Sequence, residues 1–119
     1  MNEEEAWIIG FIEASGCFTK NKLKIGRKTK NGIKIYRYFV PVFFLVNQDV
    51  SALEIARRIL GLGRVARHGR SYRLEIRRKR EVMRLVRLLD GRLRSDGKKQ
   101  QFEEWKRLVL QWKRRGRVL

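Results

Sequence analysis

Cysteine, histidine and proline occur once each in the chain, as Cys17, His68 and Pro41. A lone thiol excludes an internal disulfide, and one thiol with one imidazole cannot build a zinc cage of four nitrogen and sulfur ligands. No apolar run reaches the ~18 residues that a membrane span needs. The opening Met-Asn-Glu-Glu-Glu is acidic, unlike a secretory signal or a transit peptide. These absences predict a cytoplasmic protein (or one in an organelle or nucleoid), not secreted and with no membrane partner. Acids are the other shortage: 12 Asp and Glu face 30 Lys and Arg, a formal charge of +18. So much charge of one sign repels itself and needs a polyanion to neutralise it.

What is present fits one globular domain over residues 1–119. Hydrophobic residues at 43% suffice for a core, and charged ones at 35% saturate its surface. Nineteen of the 30 basic residues are Arg, whose planar fork matches phosphates and guanine edges better than a Lys point charge. A thermophile surface laced with ion pairs would carry acids and bases in similar numbers. An anionic membrane surface would be met by a long one-sided apolar stripe, which the basic segments lack. Nucleic acid is therefore the expected partner, with an affinity that falls steeply as salt rises.

Glu3 to Ala14 reads as a helix with three acids at its positive end. Trp7, Ile8, Ile9, Phe11 and Ile12 wrap most of its circumference, which predicts burial on more than one side. Gly16 ends it. Residues 17–27 and 33–47 read as two long strands around a turn at 28–32, and Pro41 marks an edge or a bulge in the second. A helix follows over 50–60, stopped by Gly61 and Gly63. A hairpin over 63–68 and 71–77 places Tyr72, Leu74 and Ile76 on one face and Ser71, Arg73 and Glu75 on the other. Helices over 79–89 and 98–115 complete the chain, the last with Phe102, Trp105, Leu108, Val109 and Trp112 in one stripe. The predicted class is α+β, in the order α-β-β-α-β-β-α with one further helix. Its four-stranded, mainly antiparallel sheet carries helices on one face and leaves the other open to strand Arg and Lys.

Within the first helix, Ile8-Ile9-Gly10-Phe11-Ile12-Glu13-Ala14-Ser15-Gly16, followed by Cys17-Phe18, resembles the signature motif of the LAGLIDADG homing endonucleases. Further matches follow in order: Phe44-Leu-Val-Asn-Gln48-Asp49, Leu60-Gly-Leu-Gly-Arg-Val65 and Lys98-Lys-Gln-Gln-Phe102. The resemblance thus covers nearly the whole chain. By spacing, Gly10 and Ala14 share a helix face almost bare of side chains, which suits either an internal helix groove or a second copy of the same helix. The resemblance implies the second. One motif per chain makes a symmetric homodimer, with Trp7, Gly10, Phe11 and Ala14 in its interface.

The same resemblance implies a saddle-shaped sheet on double-stranded DNA. It also implies magnesium-dependent hydrolysis of both strands at a long, nearly palindromic site, by an enzyme encoded in an intron or intein. The family's acid before the final glycine holds the divalent metal beside the scissile phosphates. Here Ser15 stands there, leaving the Ala14 backbone carbonyl as the remaining ligand, and a neutral hydroxyl is a poor ligand for a hard cation. Glu13, two residues back, is turned about 200° around the helix and cannot simply replace the missing acid. The expectation is a chain that binds its site and cuts it poorly or not at all, the acid having been removed deliberately or lost in nature.

Gln48 matches the residue that orders water near the metal, and Lys98 the cation near the cleavage centre, with Lys99 as the neighbouring alternative. A cation at a helix start opposes the helix dipole, which points to another job. Strand side chains would read base edges in the major groove. The candidates are Thr19, Asn21, Lys22, Lys24, Arg27, Lys28, Lys30, Lys34 and Arg37 from the first two strands, with Arg64, His68, Arg70 and Arg73 from the hairpin. Alternation over 19–25 is too poor to choose a face. Arg77, Arg78, Arg80, Arg84 and Arg87 either clamp phosphates or keep the surface soluble. A rival reading keeps the scaffold and drops the enzyme: an RNA-binding helper of intron splicing.

Overall fold

The computed structural model describes residues 2–115, in the order α1 (Glu3–Ser15), β1 (Gly16–Thr29), β2 (Gly32–Asn47), α2 (Val50–Leu60), β3 (Arg64–His68), β4 (Ser71–Ile76), α3 (Lys79–Leu89) and α4 (Asp96–Arg115). Local chemistry sets several of these ends. The Asn2 side chain accepts the Glu5 backbone N–H at 2.8 Å and starts α1. Asp49 starts α2 by accepting the Ser51 N–H at 3.0 Å and the Ser51 hydroxyl at 2.6 Å. Those bonds hold the Asp49 carboxyl below the usual carboxylate range. Gly61, in the left-handed conformation, closes α2. β1 and β2 run further than their sequence pattern indicates, because pairing is unbroken from Gly16↔Leu45 to Thr29↔Gly32. Only Lys30 and Asn31 turn the hairpin.

The sheet order is β1-β2-β4-β3, and every neighbouring pair is antiparallel. Register puts Phe18, Phe43, Leu45, Leu74 and Ile76 on one face, where they form a single core with Ile8, Ile12, Leu53, Leu85, Phe102 and Trp105 of the helices. This is the expected α+β arrangement with one open sheet face. The buried side of α1 is Ile8, Ile9 and Ile12, while Trp7 remains 41% exposed. Within one chain this helix is therefore covered on one side rather than on several.

Pro41 falls at an edge. β4 pairs with β2 only over Phe43–Asn47, so at Pro41 the strand has β1 on one side and no strand on the other. Pro41, Val42 and Phe43 are buried in succession, and the Trp105 indole N–H donates to the Thr19 and Val42 carbonyls at 2.9 and 3.2 Å. This clasp pins α4 to the hairpin. Beyond it, from Asn21 to Val40, the two strands continue as a ribbon whose side chains are exposed or half-buried. The body is accordingly elongated, 57 × 32 × 24 Å.

Candidate nucleic-acid interface and catalytic centre

α1 passes into β1 without a loop, Ser15 ending the helix and Gly16 opening the strand. A Cβ at Gly16 would stand 2.7 Å from the Ile12 carbonyl oxygen and 2.9 Å from the Phe43 ring, so close approach requires glycine here. The Gly16 N–H donates to the Ile12 carbonyl, and the Gly16 carbonyl accepts from Lys98 Nζ at 2.7 Å. α1 has no basic residue in its last turn. Lys98 supplies that charge from α4, whose own dipole disfavours it while the negative end of α1 favours it. Lys99 is exposed, and its backbone N–H continues the helix to Ser95. Lys98 rather than Lys99 thus stands at the foot of α1, one residue from exposed Ser15. Gln48 is exposed just beyond β2, at the same end of the sheet.

Glu13 is tied into the fold. Its carboxylate accepts the Arg94 backbone N–H at 2.6 Å and the Ser95 hydroxyl at 2.7 Å. Burial pushes its carboxyl up, but those bonds and the Lys98 charge outweigh it and leave the group below its ordinary value near 4.5. The residue thereby fixes the turn that begins α4 and carries Lys98. Sequence gave no sign of this role, since Arg94 lies 81 positions away. Among the described residues, no three of His, Cys, Asp and Glu gather where a metal ion could sit. The Ala14 carbonyl and the Ser15 hydroxyl are neutral donors, and a hard divalent cation needs anionic oxygen. The donor set of one protomer does not fit magnesium.

Along α1, Trp7, Gly10, Phe11 and Ala14 follow the i, i+3, i+4, i+7 spacing of one face. Trp7 and Phe11 meet edge to face at 5.3 Å between ring centroids. Nothing lies within 4 Å of the place a Gly10 Cβ would occupy. The small-residue groove seen in sequence is open, with no internal helix in it.

Register divides the strand candidates. Thr19, Asn21, Arg27 and Lys34 lie on the open face, as do Arg64, His68 and Arg73. Lys22, Lys24, Lys28 and Arg37 share the face of Phe18 and Phe43, but on the ribbon beyond the clasp, where they are exposed. Register thus assigns the face that alternation left open: each is an even number of residues from a core-facing Phe. Lys30 and Arg70 occupy the hairpin turns. Several cations are braced by aromatics. The Arg73 guanidinium lies 4.0 Å from the centroid of Phe44, with that of Arg77 at 5.7 Å. Arg27 and Lys34 flank Tyr36 at 5.9 and 5.4 Å. Such contacts restrain a long side chain before it meets a ligand. Arg77 was seen in sequence only as a helix-flanking cation; the signal for its place was Phe44, a large apolar residue at an open-face position.

A family model described as "LAGLIDADG endonuclease" matches residues 8–109. The chain belongs to the LAGLIDADG endonuclease family. Solved structures of the same fold include the homing endonuclease I-TnaI, 24% identical over 96% of this chain and 76% of its own, with a TM-score of 0.75. An archaeal intron-encoded homing endonuclease complexed with DNA is 23% identical over 89% of this chain and 66% of its own, with a TM-score of 0.68. The group I intron-encoded I-CeuI, also complexed with DNA, is 16% identical over 99% of this chain and 59% of its own, with a TM-score of 0.76. This chain therefore spans less than two thirds of the latter two. Among curated proteins, none matches it in sequence. The LAGLIDADG motif itself occupies the last two turns of α1 and its junction with β1.

Proposed function

We propose that the chain is a homodimeric, sequence-specific binder of double-stranded DNA, built as a LAGLIDADG homing endonuclease and defective in cutting. One observation carries this reading: the Trp7–Gly10–Phe11–Ala14 stripe, exposed except for half-buried Phe11, runs down to Ser15, where α1 enters an open-faced sheet rich in braced arginines. Two copies paired along that stripe bring two Ser15 positions and two Lys98 ammoniums to a two-fold axis. The two open faces then lie side by side, each able to read half of a long site. The DNA complexes of structural relatives support the duplex as ligand. The protein works where DNA is held, in the cytoplasm or in an organelle.

Thr19, Asn21, Arg27, Lys34, Arg64, His68 and Arg73 are the readers of base edges and nearby phosphates. Lys22, Lys24, Lys28, Lys30, Arg37 and Arg70 meet the backbone from the ribbon and the turns. Lys98 stabilises charge on phosphate near the axis, with Gln48 ordering water there. Metal, when bound in this family, activates water and stabilises the leaving oxygen; Ser15 lacks the charge to hold it, so the present chain holds its site without cutting.

Ser15→Asp tests this. The variant should cut, in magnesium, the duplex that the parent chain only binds. A folded variant that binds equally and stays inert would overturn the role of position 15. Preference for folded intron RNA over every duplex would replace the DNA reading with the splicing-helper one.

A further inference from the structure

A cleft of about 750 Å³ opens where the end of α2, the start of β3, the end of β4 and the start of α3 converge. Arg57, Arg58, Arg64, Arg77 and Arg78 line it, against only two carboxylates, Glu75 and Glu81. Both carboxylates are engaged. Glu81 accepts the Gly63 N–H at 2.9 Å, and Glu75 pairs with Arg77 at 3.0 Å. Arg57 Nε donates to the Gly63 carbonyl at 3.2 Å. Arg58, Arg64 and Arg78 enter no ion pair among the described residues. Gly63, at φ +85°, lets the α2–β3 link press on β4, since a Cβ there would lie 2.8 Å from the Glu75 carbonyl oxygen.

Like charges converging on one cleft repel unless an anion sits among them. Guanidinium forks match phosphate oxygens in bidentate pairs. α3 also begins at this cleft with Arg78 at its N-cap and no side-chain cap bond, so unpaired backbone N–H groups and the positive helix end add to the field. The cleft is continuous with the open sheet face. Arg64 and Glu75 lie on that face by register, and the Arg77 guanidinium sits over Phe44 of the same face. Arg80, Arg84 and Arg87, by contrast, are not in its walls.

We propose that this cleft holds a backbone phosphate of the bound duplex, beside the base pairs read by the sheet; the assignment rests on the DNA reading above. It separates the helix-flanking arginines into clamps (Arg77 and Arg78, joined by Arg57 and Arg58 of α2) and solubilising residues.

The test compares Arg58→Gln/Arg78→Gln with Arg84→Gln/Arg87→Gln, which removes the same charge away from the cleft. Binding to a long labelled duplex carrying the selected site is followed over a salt series. The cleft variant should lower the slope of log K against log salt by about one and weaken binding roughly tenfold at physiological salt. The control should change both far less. Among the described residues neither Arg58 nor Arg78 has an ion-pair partner to lose, so the melting temperature should be retained. Equal losses in the two variants, or an unchanged slope in the cleft variant, would overturn the cleft while leaving the DNA reading in place. Failure of the parent chain to bind any duplex would overturn both. A greater loss for RNA than for the duplex would give the cleft to RNA and end the present assignment.

Discussion

The inner and outer halves of the β1–β2 hairpin share one unbroken register, yet they obey different rules. Over Gly16–Lys20 and Pro41–Asn47, the strands are gripped by α1, α4 and β4, and the residues that face the helices are set by packing. Over Asn21–Val40 neither a helix nor a third strand covers them, and Lys22, Lys24, Lys28 and Arg37 stand on one face with Arg27, Lys34, Tyr36 and Tyr38 on the other. The difference teaches that the inner half is the anchor and the outer half the variable surface. A scaffold that must recognise a long polyanion needs both, and the Trp105 clasp marks the boundary.

The sharpest way to break that comparison uses one residue type on one strand face. Phe43 is fully buried and Phe39 is 46% exposed beneath Lys20. Phe43→Ala should cost about 3–5 kcal/mol. Phe39→Ala should cost no more than about 1 kcal/mol, most of it the lost cation–π contact. Urea unfolding of both variants measures this, and similar losses would erase the boundary. Next in size is Gly16→Ala at the junction of α1 and the anchor. The added methyl meets the Ile12 carbonyl and the Phe43 ring, and overpacking of this kind costs about 1–3 kcal/mol. Alanine at Gly26, out on the ribbon, meets only an Ile33 methyl at 3.4 Å and should unfold at nearly the same denaturant concentration as the parent.

The smallest effect depends on pH. The Glu13 carboxyl is depressed in the folded state, so its stabilising contribution is present above its unfolded value near 4.5 and disappears as pH falls through the lower folded value. Glu13→Gln should therefore be less stable than the parent at neutral pH, and the gap should close in acid. A gap that widens below pH ~4.5 would reverse the sign and contradict the hydrogen-bonded role of Glu13.

Much of this was readable from the chain because local and global signals agree. Gly61 stops a helix, Gly10 and Ala14 clear a helix face, and Tyr72, Leu74 and Ile76 alternate onto the core. Lys98 was marked by standing against its own helix dipole, and the Gly16 carbonyl explains why it is there. The face of β1 beyond Thr19 was not readable. Exposed on both sides, the ribbon has no hydrophobic alternation to impose, and only register counted from Phe18 and Phe43 assigns Lys22 and Lys24. Glu13 and the arginine cleft were hidden for another reason: each joins residues from elements far apart in sequence, which no local pattern records.

The central claim is a symmetric pair of sheets on a symmetric duplex, and selection from a random duplex library at moderate salt tests it most directly. The retained sequences should share a site of about 20 base pairs with two related half-sites, one for each protomer. Retained sequences with no consensus, bound in proportion to charge alone, would contradict the paired-sheet account.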